Sequence, residues 1–182
     1  MTTATLFNSV LILIFAIGSL GTLLLSWPWL RRPRSYRFYR FFAFEFLLGL
    51  LTVNIRFWLD RPWGPLQLLS WFLLIASAFL ALHGFALLRK AGQPSVSIET
   101  TTSLITTGAY RYIRHPLYAS LLYFGWGVFL KGPSLLSALL VILGSVFLFM
   151  TARAEESENK AKFGDEYLRL MARTKMFVPF LF

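Results

Sequence analysis

Two short runs carry most of the chemistry this 182-residue chain could do. The first is Tyr110-Arg-Tyr-Ile-Arg114-His115-Pro116-Leu-Tyr118, which sets a cation, an imidazole and a helix-starting proline where apolar sequence resumes. The second is Arg153-Ala-Glu155-Glu156-Ser-Glu158, placed where a later apolar run ends. Charged groups at the lip of a membrane helix are costly unless they hold something, so the two runs together form the candidate functional site. The plain structural alternative is that basic and acidic helix ends simply pair.

The elements that must position these groups are membrane helices. Hydrophobic residues make up 57% of the chain and charged residues 14%, and the apolar positions cluster into long uncharged runs. That pattern belongs to an all-α polytopic membrane protein. Uncharged or nearly uncharged segments fall at Leu6–Leu30, Phe41–Leu59, Pro65–Leu88, Leu117–Leu130 and Pro133–Ala152, which predicts five crossings. The fourth is short: its length gives only about 21 Å at 1.5 Å per residue, against about 30 Å of hydrocarbon. It is expected to form a tight hairpin with the fifth through Lys131-Gly132-Pro133. Hairpin partners have neighbouring ends, which brings Arg114 and His115 close to Glu155 and Glu156. A single domain over residues 1–182 is expected, with three N-terminal spans in 1–88 and the site-bearing half in 89–182. Met1 to Leu30 has no positive residue ahead of its apolar core and is too long for a cleavable signal, so it reads as a span.

The charge distribution excludes several functions. A net charge of +10 would suit nucleic acid, but the basic residues sort by side of the membrane instead. Arg31, Arg32, Arg34, Arg37 and Arg40 fall in the first connection, Arg89, Lys90, Arg111 and Arg114 in the third, and the rest mostly in the C-terminal tail. The positive-inside rule makes that side cytoplasmic and the N-terminus external. There are no cysteines and two well-separated histidines, which removes thiol catalysis and argues against a metal site.

Several other residues carry expectations. Trp27, Trp29, Trp58 and Trp63 lie near span ends, as interfacial anchors do. Glu45 is close enough to the inner end of its span to meet an arginine of the first connection, and Arg56 stands one turn from Asp60, so that the two can pair. His83 reads as a packed, hydrogen-bonded histidine. The third connection, from Arg89 to His115, is long; its threonines at 100, 101, 102, 106 and 107 with Ile98, Leu104 and Ile105 favour extended, anchored backbone, and Gly108 a turn. After the fifth span, Glu156–Lys160, Glu158–Lys162 and Asp165–Arg169 are spaced i, i+4, predicting a helix whose apolar face is Phe163, Tyr167, Leu170 and Met171. That face can lie on the membrane or cap the bundle. Pro179 and its apolar neighbours are expected against lipid or protein.

Tyr110, Tyr112, Tyr118 and Phe163 crowd the two charged runs, which suits a flat heterocycle or a sulfonium cation. The ordered set Leu104-Ile-Thr-Thr-Gly108-Ala-Tyr110-Arg-Tyr-Ile-Arg114-His115-Pro116-Leu-Tyr118, then Glu155-Glu156, then Phe163-Gly164-Asp-Glu-Tyr167 and Pro179, resembles the isoprenylcysteine carboxyl methyltransferase and phospholipid methyltransferase superfamily. The chain departs from that pattern at Asn159, where leucine is common, at Leu170, where a second tyrosine is expected, and in the closeness of Arg153 to the acidic pair. The resemblance implies an integral membrane enzyme that uses S-adenosylmethionine and releases S-adenosylhomocysteine. Tyr110, His115, Pro116 and Tyr118 would then line the cofactor, with Arg153, Glu155 and Glu156 on the far wall. Arg114 would orient an acceptor or the cofactor carboxylate, and Glu156 or Glu155 would serve as base where the acceptor needs one. The acceptor would be a lipophilic carboxylate, thiol or amine entering from the bilayer. Two other readings stay open: an NADPH-dependent sterol-type reductase, whose C-terminal half has a related topology, and a non-catalytic scaffold of the same fold.

Overall fold

The computed structural model describes residues 3–91, 104–179 and 181 of the chain. Among the described residues six helices follow one another: α1 (Thr3–Leu30), α2 (Tyr36–Asn54), α3 (Pro65–Ala91), α4 (Pro116–Lys131), α5 (Leu135–Phe163) and α6 (Asp165–Arg173). Single 3-10 turns stand at Ile55–Phe57 and Gly108–Arg111. Four helices among the described residues are long and apolar enough to cross a membrane, within Leu6–Leu30, Tyr36–Phe57, Pro65–Lys90 and Leu135–Phe163. The fourth expected crossing, α4, is the short one: its 16 residues reach about 24 Å.

A helix that ends early inside a bundle leaves its last carbonyls without intrahelical donors, and in lipid no water replaces them. Here polar side chains from α2 and α3 do. Asn54 Nδ2 donates to the Val128 carbonyl at 3.2 Å, and Gln67 Nε2 to those of Leu130 and Lys131 at 3.2 and 3.4 Å. Ser70 Oγ adds a bond of 2.7 Å to the Gly127 carbonyl. Lys131, the last residue of α4, is fully buried. Its Nζ lies 3.7 Å from the centroid of Trp71 and 3.4 Å from Gln67 Oε1. Trp58 is half-buried and meets Trp71 edge-on in the same cluster, whereas Trp27 and Trp63 are exposed.

Small residues let α4 approach its neighbours closely. A Cβ on Gly125 would meet Leu47 of α2 at 2.8 Å, and one on Gly127 would meet Leu74 of α3 at 2.9 Å. The core that results joins Ala43, Leu47 and Leu50 of α2 to Val128 of α4 and Val141 and Leu148 of α5. Within it α4 lies chiefly along α3 and α5 along α2. The hairpin between α4 and α5 forms as expected. Ser134 caps α5 by accepting from the Ser137 amide, and Ser137 Oγ accepts from the Ser134 amide in return.

α1 stands at the edge, with Leu13, Leu24 and Leu25 exposed. It is clipped to α2 by Glu45, which accepts from Ser19 Oγ at 2.5 Å and from Thr22 Oγ1. The partners of Glu45 are therefore hydroxyls of α1 and not an arginine of the first connection. A carboxylate in the apolar zone takes the nearest donors on the helix facing it. Arg56 likewise stacks over Phe57 at 4.6 Å, and no ion pair with Asp60 occurs among the described residues.

Two features shape the site end. α5 does not stop at Ala152; it continues without a break to Phe163, and at 29 residues it reaches about 44 Å, so its last turns stand clear of the hydrocarbon. The chain then turns at Gly164, with φ 53°, into α6. On the other side Gly108 carries φ 58°, and a Cβ there would lie 2.6 Å from both His83 Nε2 and Leu87 Cδ1. Its 3-10 turn is thus seated directly on α3, with His83 stacked on Phe79 at 5.6 Å. The threonines at 100–102 and Ile98 lie outside the described residues, while Leu104 to Thr107 lead into the turn. Gly108→Ala should destabilise the purified protein by about 1–2 kcal/mol from the left-handed backbone alone, with more from the His83 contact. A His83→Ala change should recover only the second part, read as the thermal midpoint in detergent.

Candidate functional site

The proline at the start of α4 is tolerated there because the first-turn amides have no intrahelical acceptor. What fixes the segment before it is the C-terminal chain. Ile113 and Lys175 form an isolated parallel bridge. The Arg114 amide donates to the Lys175 carbonyl at 2.8 Å, that of His115 to Met176 at 3.2 Å, and that of Lys175 to Tyr112 at 3.0 Å. Ile113, Met176 and Phe177 are buried together against Ala119 and Ala152. The apolar C-terminal stretch thus packs against protein and straps down the Arg114-His115 run.

Arg114 is the junction of these pieces. Its Nε donates to Glu156 Oε1 at 2.7 Å, and its Nη1 donates to the Thr174 carbonyl and, at 3.4 Å, to that of Met171. Glu156 is 1% exposed. His115 Nε2 stands 3.5 Å from the same carboxylate oxygen and makes no hydrogen bond among the described residues. The His115 ring stacks on Tyr118 at 5.5 Å. α4, α5, α6 and the C-terminal chain therefore meet at one charged pair.

Beside that pair opens a cavity of about 400 Å³, within the ordinary range of ligand pockets. Tyr110, Arg114, His115, Pro116, Tyr118 and Glu155 line it, so six of the eight residues expected at the site come together. Tyr118 stands close to Glu155, whose Oε2 is buried and makes no hydrogen bond among the described residues. Burial pushes the Tyr110 hydroxyl well above the ordinary tyrosine range, with the charge of Glu155 adding to the effect. Burial likewise pushes Tyr167, 3% exposed, up to about 12, although a hydrogen bond with Asn159 works the other way. Both phenols stay protonated at neutral pH and can donate to a ligand.

The two adjacent glutamates divide the work. Consecutive residues on a helix point about 100° apart. Glu155 faces the cavity, and Glu156 lies behind Arg114 and outside the lining. Arg153 is exposed and Tyr112 is 47% exposed; neither lines the cavity, because both sit on the outward faces of their segments. The apolar face after α5 does cap the site: Phe163, Tyr167 and Leu170 close it from one side.

The sequence reading missed one wall. Tyr36, Arg37 and Arg40, from the first two turns of α2, line the cavity with Glu158, Asn159 and Lys162 of α5. The arginines read as positive-inside charge, and nothing in their spacing separates that from a site.

Removing Arg114 alone should cost stability, because Glu156 is left buried and unpaired, a loss of about 3–5 kcal/mol in comparable cases. The double variant Arg114→Ala/Glu156→Ala should recover much of that loss in a thermal-unfolding series. Equal midpoints for the single and the double variant would mean the pair is not the junction described.

The chain is 28% identical over 167 residues to methanethiol S-methyltransferase 1 of Bradyrhizobium diazoefficiens, an alignment covering 89% of this chain and 52% of the relative. The chain thus spans about half the length of that protein. No solved structure matches it. Over residues 66–166, more than half its length, the sequence matches the phospholipid methyltransferase family, a stretch that runs from α3 through both halves of the charged junction to the start of α6. With nearly all of α3, the α4–α5 hairpin and the Arg114–Glu156 junction inside that match, the chain belongs to the phospholipid methyltransferase family.

Proposed function

We propose that the chain transfers a methyl group from S-adenosylmethionine to a lipophilic acceptor that reaches the cavity from the bilayer, a thiol foremost. The observation that carries this reading is Glu155 Oε2, buried without a hydrogen-bond partner among the described residues in an aromatic-walled cavity. An orphaned carboxylate oxygen costs free energy in a finished core, so its place is understood as one a ligand completes. When bound, S-adenosylmethionine supplies an electrophilic methyl on a positive sulfur. Rings such as Tyr110, Tyr118, Phe163 and Tyr167 suit a purine face and a sulfonium charge.

The chain's own contribution is positioning. Methyl transfer is an in-line displacement, for which holding two reactants aligned can supply about 7–11 kcal/mol. The strap from Thr174 to Phe177 and the Arg114–Glu156 pair make the His115–Tyr118 wall rigid enough to do so. A thiol must lose its proton before it attacks, and its ordinary pKa is about 8.5. Glu155 is the base favoured here. Glu156, the other candidate, is occupied by Arg114 and His115. A thiol acceptor also accords with the name of the bradyrhizobial relative, a methanethiol S-methyltransferase. The positive-inside rule puts the cavity on the cytoplasmic side, with the N-terminus of α1 external.

Calorimetry of the purified protein in detergent with S-adenosylhomocysteine and with NADPH tests the reading. Binding of the first and not the second is expected. Binding of NADPH alone would restore the reductase reading, and binding of neither would leave a scaffold. Glu155→Gln should lower turnover of a thiol acceptor by about 10²–10⁴-fold while S-adenosylhomocysteine affinity stays within a few-fold. Unchanged turnover in that variant would remove Glu155 as the base.

A further inference from the structure

The strap and α6 carry a set of outward cations that meet no carboxylate. Arg169 and Arg173 lie one turn apart on α6, and Arg173 Nε donates to the Arg169 carbonyl at 3.3 Å, which keeps the two on one face. Past the helix the chain is extended, so its side chains alternate: Thr174 and Met176 are buried, while Arg173 and Lys175 are exposed. The Lys175 amide donates to the Tyr112 carbonyl, which brings Arg111 and Tyr112 alongside. The Arg111 guanidinium lies 5.9 Å from the Tyr112 ring centroid. All four cations are exposed, and none makes an ion pair among the described residues. The acids of α6, Asp165 and Glu166, stand in its first turn, at the end away from the strap.

This surface lies at the lip of the membrane. The strap runs beside α4 toward hydrocarbon depth: Tyr123, two turns into α4, donates from its hydroxyl to the Phe177 carbonyl at 3.4 Å. Phe177 packs in the cluster that Leu80 of α3 and Leu122 of α4 adjoin. Lys175 therefore stands where the chain passes from the aqueous side into the apolar bundle. Exposed apolar side chains accompany the cations, with Leu168 50% and Leu181 79% exposed and the Tyr112 ring nearly half so. Like charges gathered on one face repel, and an anion among them relieves that. Cations beside exposed apolar groups at a membrane boundary suit an anionic head group with its acyl chains attached.

We infer that Arg111, Arg169, Arg173 and Lys175 form a docking surface for the head groups of anionic phospholipids in the surrounding bilayer. The lipid is held there and not methylated, because none of the four cations lines the cavity. It acts on the site through the strap. The carbonyls of Met171 and Thr174 hold the Arg114 side chain, and that of Lys175 accepts from the Arg114 amide. A lipid that binds the docked strap and not a loosened one stabilises the docked form. The inference stands on the charge and placement of this surface, and holds whether or not the cavity transfers methyl groups.

Native mass spectrometry of the purified protein, in neutral detergent micelles doped with equal amounts of phosphatidylglycerol and phosphatidylcholine, counts the lipid retained. Wild type is expected to retain phosphatidylglycerol in preference, and less of it at high salt. Arg169→Gln/Arg173→Gln/Lys175→Gln should weaken phosphatidylglycerol binding by about tenfold or more, at roughly fivefold per basic residue, and leave phosphatidylcholine unchanged. Arg31→Gln/Arg32→Gln/Arg34→Gln removes the same charge from the exposed first connection and should keep the preference. The exchange Arg169→Lys/Arg173→Lys/Lys175→Arg, which conserves charge, should keep it too. Should the triple glutamine variant fail to fold, Arg173→Gln and Lys175→Gln singly decide, each with a loss of about fivefold. No preference in wild type, an unchanged preference in the strap variants, or an equal loss in the first-connection variant overturns the surface. Displacement of the lipid by soluble glycerol 3-phosphate would assign a free anion instead and overturn the lipid as occupant.

Discussion

One buried charge pair holds the functional end of this protein together. Arg114 and Glu156 come from segments 42 positions apart and meet at 2.7 Å with almost no solvent on the carboxylate. A pair taken out of water repays its desolvation only when geometry is good and the remaining donors are satisfied. Here the two carbonyls of Met171 and Thr174 supply that satisfaction. The result is a joint through which α4, α5, α6 and the C-terminal strap share one set of bonds. The cavity exists because this joint keeps the His115–Tyr118 wall and the end of α5 apart at a fixed spacing.

The opposite end of the bundle solves a different problem by similar means. A sixteen-residue helix is too short for the hydrocarbon and ends where its carbonyls find no water. Asn54, Gln67 and Ser70 reach across from α2 and α3 to take them up, and Lys131 is enclosed by tryptophan and glutamine. The same shortness is what lets the entry motif of α4 sit deep enough to face Glu155 and Glu156. Polar side chains in the membrane-spanning part of this chain are thus mostly structural, and Glu45 with Ser19 and Thr22 belongs with them.

Much of this was legible in the sequence, for stated reasons. Long uncharged runs announce spans because lipid admits little else. The Arg-His-Pro motif and the acidic pair announce a site because hairpin partners bring their ends together. The structure does bring Arg114 and His115 to Glu156, and the family match favours a methyltransferase over a sterol-type reductase. What the sequence left hidden depends on direction and distance. Which of Glu155 and Glu156 faces the ligand is a matter of 100° of helix rotation. Arg153 turns outward for the same reason. The α2 wall and the parallel strap at Ile113 and Lys175 join positions far apart in the chain, and neither has a local periodicity that would reveal it. Arg37 and Arg40 were hidden further by looking like topology signals.

The most direct test of the central claim is an experimental structure of the protein with S-adenosylhomocysteine bound. The account requires the nucleoside between Tyr118 and Tyr167, with Glu155 Oε2 pointing into the occupied space and Arg114 still paired to Glu156. A nucleoside seated elsewhere in the bundle, or one that draws Glu156 away from Arg114 to reach it, would contradict the account.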